Sequence, residues 1–112
     1  MRNALIALSA GCLAIVVGAV SSAEAAPAEA SDLTGKRICW SNGGKDTFGA
    51  GGVYSSTGAG DGAWSISGGT VTITASRLSF EASVEKMPGG AFRATFLSGR
   101  RRFQTVTGSP CR

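Results

Sequence analysis

The chain has 112 residues, a net charge of +4, 43% hydrophobic residues and 16% charged residues. Those figures suit one small domain and exclude both an acidic disordered tail and a polybasic arm. No histidine is present, which excludes Ser–His and Cys–His nucleophile pairs and imidazole metal sites.

Residues 1–25 read as a secretory signal peptide. Arg2 gives the positive start, Ala4 to Val20 carry no charge, and Ser21 to Ala25 end on the small residues of an Ala-x-Ala cleavage site, Ala23 and Ala25. A second such site, Ala28-Glu29-Ala30, makes a cut after Ala30 the alternative. The apolar run is at the short limit for a membrane span, so cleavage is favoured over an uncleaved anchor. Cys12 is a poor lipidation site, because the apolar run continues past it and Leu8 stands one place too far from it. The expected address is the periplasm or the outside of a bacterial cell, with no transmembrane segment after cleavage. Residues 26–31 are then a short flexible lead-in to a single domain, 32–112.

Within that domain the hydrophobic period is two. Thr70 to Thr74 alternate strictly, as do Leu78 to Glu85 and Ala91 to Phe96. This is the pattern of half-buried antiparallel strands. Turn chemistry separates them at Asn42-Gly43-Gly44, Gly51-Gly52, Gly58 to Gly62, Gly68-Gly69, Pro88-Gly89-Gly90 and Ser98-Gly99. The expected strands are 36–41, 45–49, 53–57, 63–67, 70–75, 78–86, 91–97 and 101–107. Their connections are too short for crossovers, so neighbours in sequence pair antiparallel.

Such a meander removes its two free edges by closing, and the expected fold is an all-β, eight-stranded up-and-down barrel or strongly curled sheet. The inward candidates are Ile38, Trp40, Phe48, Val53 or Tyr54, Trp64, Ile66, Val71, Ile73, Leu78, Phe80, Val84, Phe92, Phe96, Phe103 and Val106. Side chains of that bulk just fill an eight-stranded barrel, so a mostly solid interior is expected, with at most a shallow cup at one end.

Cys39 and Cys111 are the only cysteines after the leader, and an exported chain favours their pairing. The loop-entropy model gives such a bridge about 4 kcal/mol, a large term for a core this small. These strand limits set the two cysteines at opposite rims. Either the tail Gly108-Ser109-Pro110 folds back, or one strand, with 45–49 the weakest, is not a strand.

The run Gly62-Ala63-Trp64-Ser65-Ile66-Ser67-Gly68-Gly69-Thr70-Val71-Thr72-Ile73, together with Leu33-Thr34-Gly35-Lys36 ahead of Trp40, resembles hairpins of small exported bacterial β-domains with lipocalin-like (calycin-like) architecture. The resemblance implies a barrel and a binding role, and it supplies no substrate and no catalytic residue. The domain is about half the length of a true lipocalin, without extra length for a ligand cavity.

Chemistry-bearing groups are sparse. Glu81 and Glu85 share a face but lie about 13 Å apart along a strand, beyond the spacing of a glycosidase pair. Asp61 lacks the repeated acidic residues of a calcium loop, and Gly43-Gly44-Lys45 is followed by Asp46 rather than by Ser or Thr and a helix. No catalytic residue, metal or cofactor is therefore expected, and the chain does not read as an enzyme. Trp40 and Tyr54 read as core or rim aromatics and as candidates for a ligand cup. From Ser31 onward ten Lys and Arg face five Asp and Glu, and Arg100, Arg101 and Arg102 stand together beside a turn. They are candidates for contact with anionic lipid or lipopolysaccharide phosphates, their other role being to guard a strand edge. Aromatics for base stacking are absent from this tip, which argues against nucleic acid. The leading expectation is a binding or interaction module of the cell envelope, its partner unidentified. The alternatives are a carrier of a small apolar ligand in a barrel mouth, or an inhibitor of an extracytoplasmic enzyme.

Overall fold

The structure, a computed structural model, describes residues 25–112; the expected signal peptide lies, but for Ala25, outside the described residues. Among the described residues nine strands follow in chain order: β1 (Ala26–Pro27), β2 (Lys36–Trp40), β3 (Lys45–Phe48), β4 (Val53–Ser56), β5 (Gly60–Ser67), β6 (Thr70–Ala75), β7 (Ser79–Lys86), β8 (Phe92–Phe96) and β9 (Thr105–Pro110). From β2 to β9 each strand pairs antiparallel with the next, and β9 returns to pair with β2. The result is a closed eight-stranded antiparallel barrel with β1 as an extra strand on β7.

Alternation decides which side chains enter it. Ile38, Phe48, Tyr54, Trp64, Val71, Ile73, Val84 and Phe92 are buried, and Trp40, Ile66, Phe80 and Val106 pack against them. Thr72, Thr74 and Glu81 on the opposite faces are exposed. Between Val53 and Tyr54, Tyr54 is the inward residue, and Val53 is 62% exposed. Glycine permits two close approaches. A Cβ on Gly62 would overlap the Thr74 carbonyl oxygen, and a Cβ on Gly108 would lie 2.6 Å from the Trp40 ring, so β9 lets the indole lie against its backbone.

One end of the barrel is closed. The residues expected as a flexible lead-in belong to the folded body. Helix α1 (Ala30–Leu33) carries fully buried Leu33, and the buried Ala28 donates its N–H to the Val84 carbonyl at 2.9 Å. The backbone N–H of Glu29 bonds to Asp32 Oδ2 at 2.8 Å and caps the helix. Lys86 Nζ stands 3.5 Å from the same carboxylate, and Lys36 Nζ donates to the Asp32 carbonyl at 2.7 Å. The floor aromatics interlock edge to face, with the Phe48 ring centroid 5.2 Å from Trp64 and 5.6 Å from Tyr54.

The last strand corrects two expectations. It spans Thr105–Pro110 rather than 101–107, because the turn after β8 runs on through Gln104. In that turn Phe103 takes a φ of 70° and donates its N–H to Phe96 O at 2.7 Å. Its ring is thereby turned outward, 76% exposed, and it is no core residue. Leu78, just ahead of β7, is likewise 54% exposed. The four-residue shift also removes the cysteine conflict without loss of a strand. Ser109 now lies opposite Cys39, and Cys111 follows alongside the start of β2, its N–H bonded to Arg37 O at 2.8 Å. Cys39 and Cys111 form a disulfide, with 5.2 Å between their Cα atoms.

Candidate functional site

The interior is not solid. A cavity of about 440 Å³ occupies the barrel end away from α1 and opens between the turns that follow β2, β4 and β8. Two large residues expected inside, Leu78 and Phe103, point out or sit at the rim. Ala82 and Ala94 are buried on the inner face of β7 and β8, and each leaves the space of a larger side chain. The walls are Phe48, Val71, Ile73, Phe80, Val84, Phe96 and Val106, with Leu78 at the rim. Phe80 and Phe96 pack with their centroids 5.6 Å apart.

Trp40 and Tyr54, the two aromatics expected as candidates for a cup, both line this cavity. Asp46, Ser56 and Arg101 join them. Strand register explains the grouping: Asp46 pairs with Ser56, and Phe48 pairs with Tyr54 one inward position deeper. Trp40 at the end of β2 donates its indole N–H to Asp46 Oδ2 at 3.2 Å. Ser56 Oγ accepts the backbone N–H groups of Gly58 and Ala59, which shapes the turn at the mouth.

Two groups here are electrostatically unsettled. Tyr54 is 1% exposed, and its hydroxyl has no hydrogen-bond partner among the described residues. Such a group costs about 1–3 kcal/mol unless something satisfies it. Burial raises the Tyr54 pKa well above its ordinary value, and the nearby Asp46 charge adds to the rise. Burial also raises the Asp46 carboxyl above its ordinary value, against the opposing pull of the Ser56 and Tyr54 hydroxyls and the Trp40 indole. Neither ion pair of the described residues, Lys86–Asp32 or Arg93–Glu85, involves Asp46.

Asp46 and the depth of the cup escaped the sequence reading. The signal for Asp46 was its place two residues before Phe48: if Phe48 faces inward, so does Asp46. Of the basic tip, Arg100, Arg101 and Arg102 are all exposed, and Arg101 reaches the cavity rim. The Arg102 guanidinium lies 6.0 Å from the centroid of the Phe103 ring. Among the described residues no cluster of acidic or cysteine side chains could hold a metal ion, and no helix is long and apolar enough to cross a membrane.

The chain matches no family model, and searches of curated proteins and of solved structures return no match.

Proposed function

We propose that the protein is an exported carrier of small, largely apolar molecules, a lipocalin-like barrel in miniature that binds rather than catalyses. The cavity of about 440 Å³ carries this reading; it falls within the range of small-ligand pockets, roughly 300–1,000 Å³. It has the usual composition of such a site, apolar walls with a few convergent polar groups. Export is supported by the leader sequence and by a disulfide that an oxidising compartment maintains. A binding role fits a cavity whose one carboxylate among the described residues is Asp46, since paired acid–base work needs a second group.

The test uses Nile red, a neutral apolar dye. It is expected to bind with blue-shifted emission, saturating at one dye per barrel. Ala94→Phe should abolish that signal while changing the melting temperature little, because the new ring enters space that is already open. Equal dye binding by the wild type and by Ala94→Phe would place the dye elsewhere and defeat the carrier reading.

A second reading has its own support. Phe103 projects into solvent on the turn that carries Arg100 to Arg102, at the mouth end of the barrel, and Leu78 and Leu97 are exposed beside the same rim. Cationic side chains around an exposed aromatic suit an anionic lipid surface, with charge drawing the turn in and the ring entering the interface. Replacing Arg100, Arg101 and Arg102 by Ser should abolish binding to phosphatidylglycerol vesicles at low salt. Stability should stay within about 0.5 kcal/mol, as for other surface changes. Wild-type protein that shows no salt-sensitive vesicle binding would end this reading.

A further inference from the structure

We infer that the cavity selects small organic cations, molecules with one ring or a short apolar chain ending in a protonated amine that Asp46 holds. This assignment rests on the carrier reading and adds the chemistry of the ligand's head group.

The polar end of the cavity carries the Asp46 carboxylate, which neither ion pair of the described residues involves. Trp40 Nε1 donates to one Asp46 oxygen, Oδ2, at 3.2 Å, and the Ser56 and Tyr54 hydroxyls lie near enough to favour the charged carboxylate. One inward position deeper on the neighbouring strand, the buried Tyr54 hydroxyl is without a partner. Diagonal neighbours across paired strands stand about 7–8 Å apart at their backbones, close enough for one small group between the side chains to touch both. An ammonium fits that vacancy, having three donors and no acceptor. It can bond to the free carboxylate oxygen and the phenol oxygen together. It would also neutralise a charge that burial holds unpaired.

The walls agree with this choice. Trp40, Phe80 and Phe96 line the same space, and aromatic faces attract cations within about 6 Å of the ring centre. A carboxylate head would instead meet the like charge of Asp46, and an alcohol would satisfy the hydrogen bonds while leaving that charge unpaired. Among the described residues Arg101 is the one cation lining the cavity, and it lies at the solvent-exposed rim, where salt screens it over roughly 8 Å.

Calorimetric titration of the purified chain with three probes tests the assignment: 2-phenylethylamine, 2-phenylethanol and 3-phenylpropanoate. The amine is expected to bind at least tenfold more tightly than the alcohol, and the acid most weakly. Asp46→Asn keeps an acceptor for the Trp40 indole and should bring the amine down to the affinity of the alcohol, with the alcohol unchanged. Tyr54→Phe should weaken the amine several-fold without disturbing the fold. An alcohol or acid that binds wild-type protein as tightly as the amine overturns the cation selectivity while the apolar site stands. So does an amine preference that survives in Asp46→Asn. If neither Nile red nor any of the three probes binds, the carrier reading falls with it.

Discussion

Cys39→Ser is expected to lower the melting temperature by roughly 15–30 °C. The two cysteines are 72 positions apart, and closing a loop of that length removes about 4 kcal/mol of chain entropy from the unfolded state. For a domain of this size each kcal/mol shifts the midpoint by about 4–8 °C. The bridge joins Cys39 of β2 to Cys111 just past β9, so its loss acts where the first and last barrel strands meet. Cys39→Ser with Cys111→Ser should behave the same way, which separates loss of the link from the effect of a free thiol. Thermal melts with and without dithiothreitol provide the check: reduction should move the wild type to the position of the variants and leave the variants where they are. Coincident melts of wild type and variants under oxidising conditions would show that the link adds nothing to stability.

Trp64→Ala should cost about 3–5 kcal/mol, the usual range for emptying a buried aromatic site. The residue is 8% exposed and sits at the closed end, its ring edge-on to Phe48 at 5.2 Å. Its indole N–H donates to the Gly49 carbonyl at 2.9 Å, which ties the turn between β3 and β4 to the wall of β5. Alanine would therefore leave a cavity, remove an aromatic pair and strip a donor from a backbone carbonyl. Trp64→Phe divides these effects, because it retains much of the ring volume and loses only the donor. Its cost should be nearer 1–2 kcal/mol. Urea denaturation at unchanged m-value is the measurement, and a loss below 1 kcal/mol for Trp64→Ala would mean that the floor closes without this ring. Since small domains have only about 5–15 kcal/mol in total, the alanine variant should stand close to unfolding.

The barrel was legible because its strands are short, alternate strictly and are punctuated by glycine turns. Where the alternation is strongest, as in Thr70–Ala75 and Ser79–Lys86, the observed limits differ from the expected ones by at most one residue. The error in the last strand came from reading Ser98-Gly99 as the whole turn. Nothing in the type of Phe103 announces that it will adopt the left-handed backbone conformation that glycine favours. That displacement hid the route by which Cys111 reaches Cys39.

The cavity was lost for a related reason. Counting large inward side chains treats each as filling space, yet Leu78 and Phe103 lie outside, and Ala82, Ala94 and Gly108 occupy inner positions with little volume. Whether a barrel is full depends on which small residues lie opposite one another across its diameter, and that information lies in the closed register rather than in any one segment. Trp40 and Tyr54 could be nominated as aromatics near an end. Their association with Asp46 required knowing that β3 stands between β2 and β4 with Asp46 facing inward.

Seven of the eight seams in the wall join strands adjacent in the chain, and one, between β2 and β9, joins its two extremes. Hairpins of the first kind can form locally and early, whereas the last seam must wait for a search across nearly the whole polypeptide. Because the sulfur link spans that seam, an oxidised chain begins its search with the two ends already tethered. The covalent tie thus secures, in the oxidised chain, the one seam of the eight-stranded wall that no local hairpin can supply.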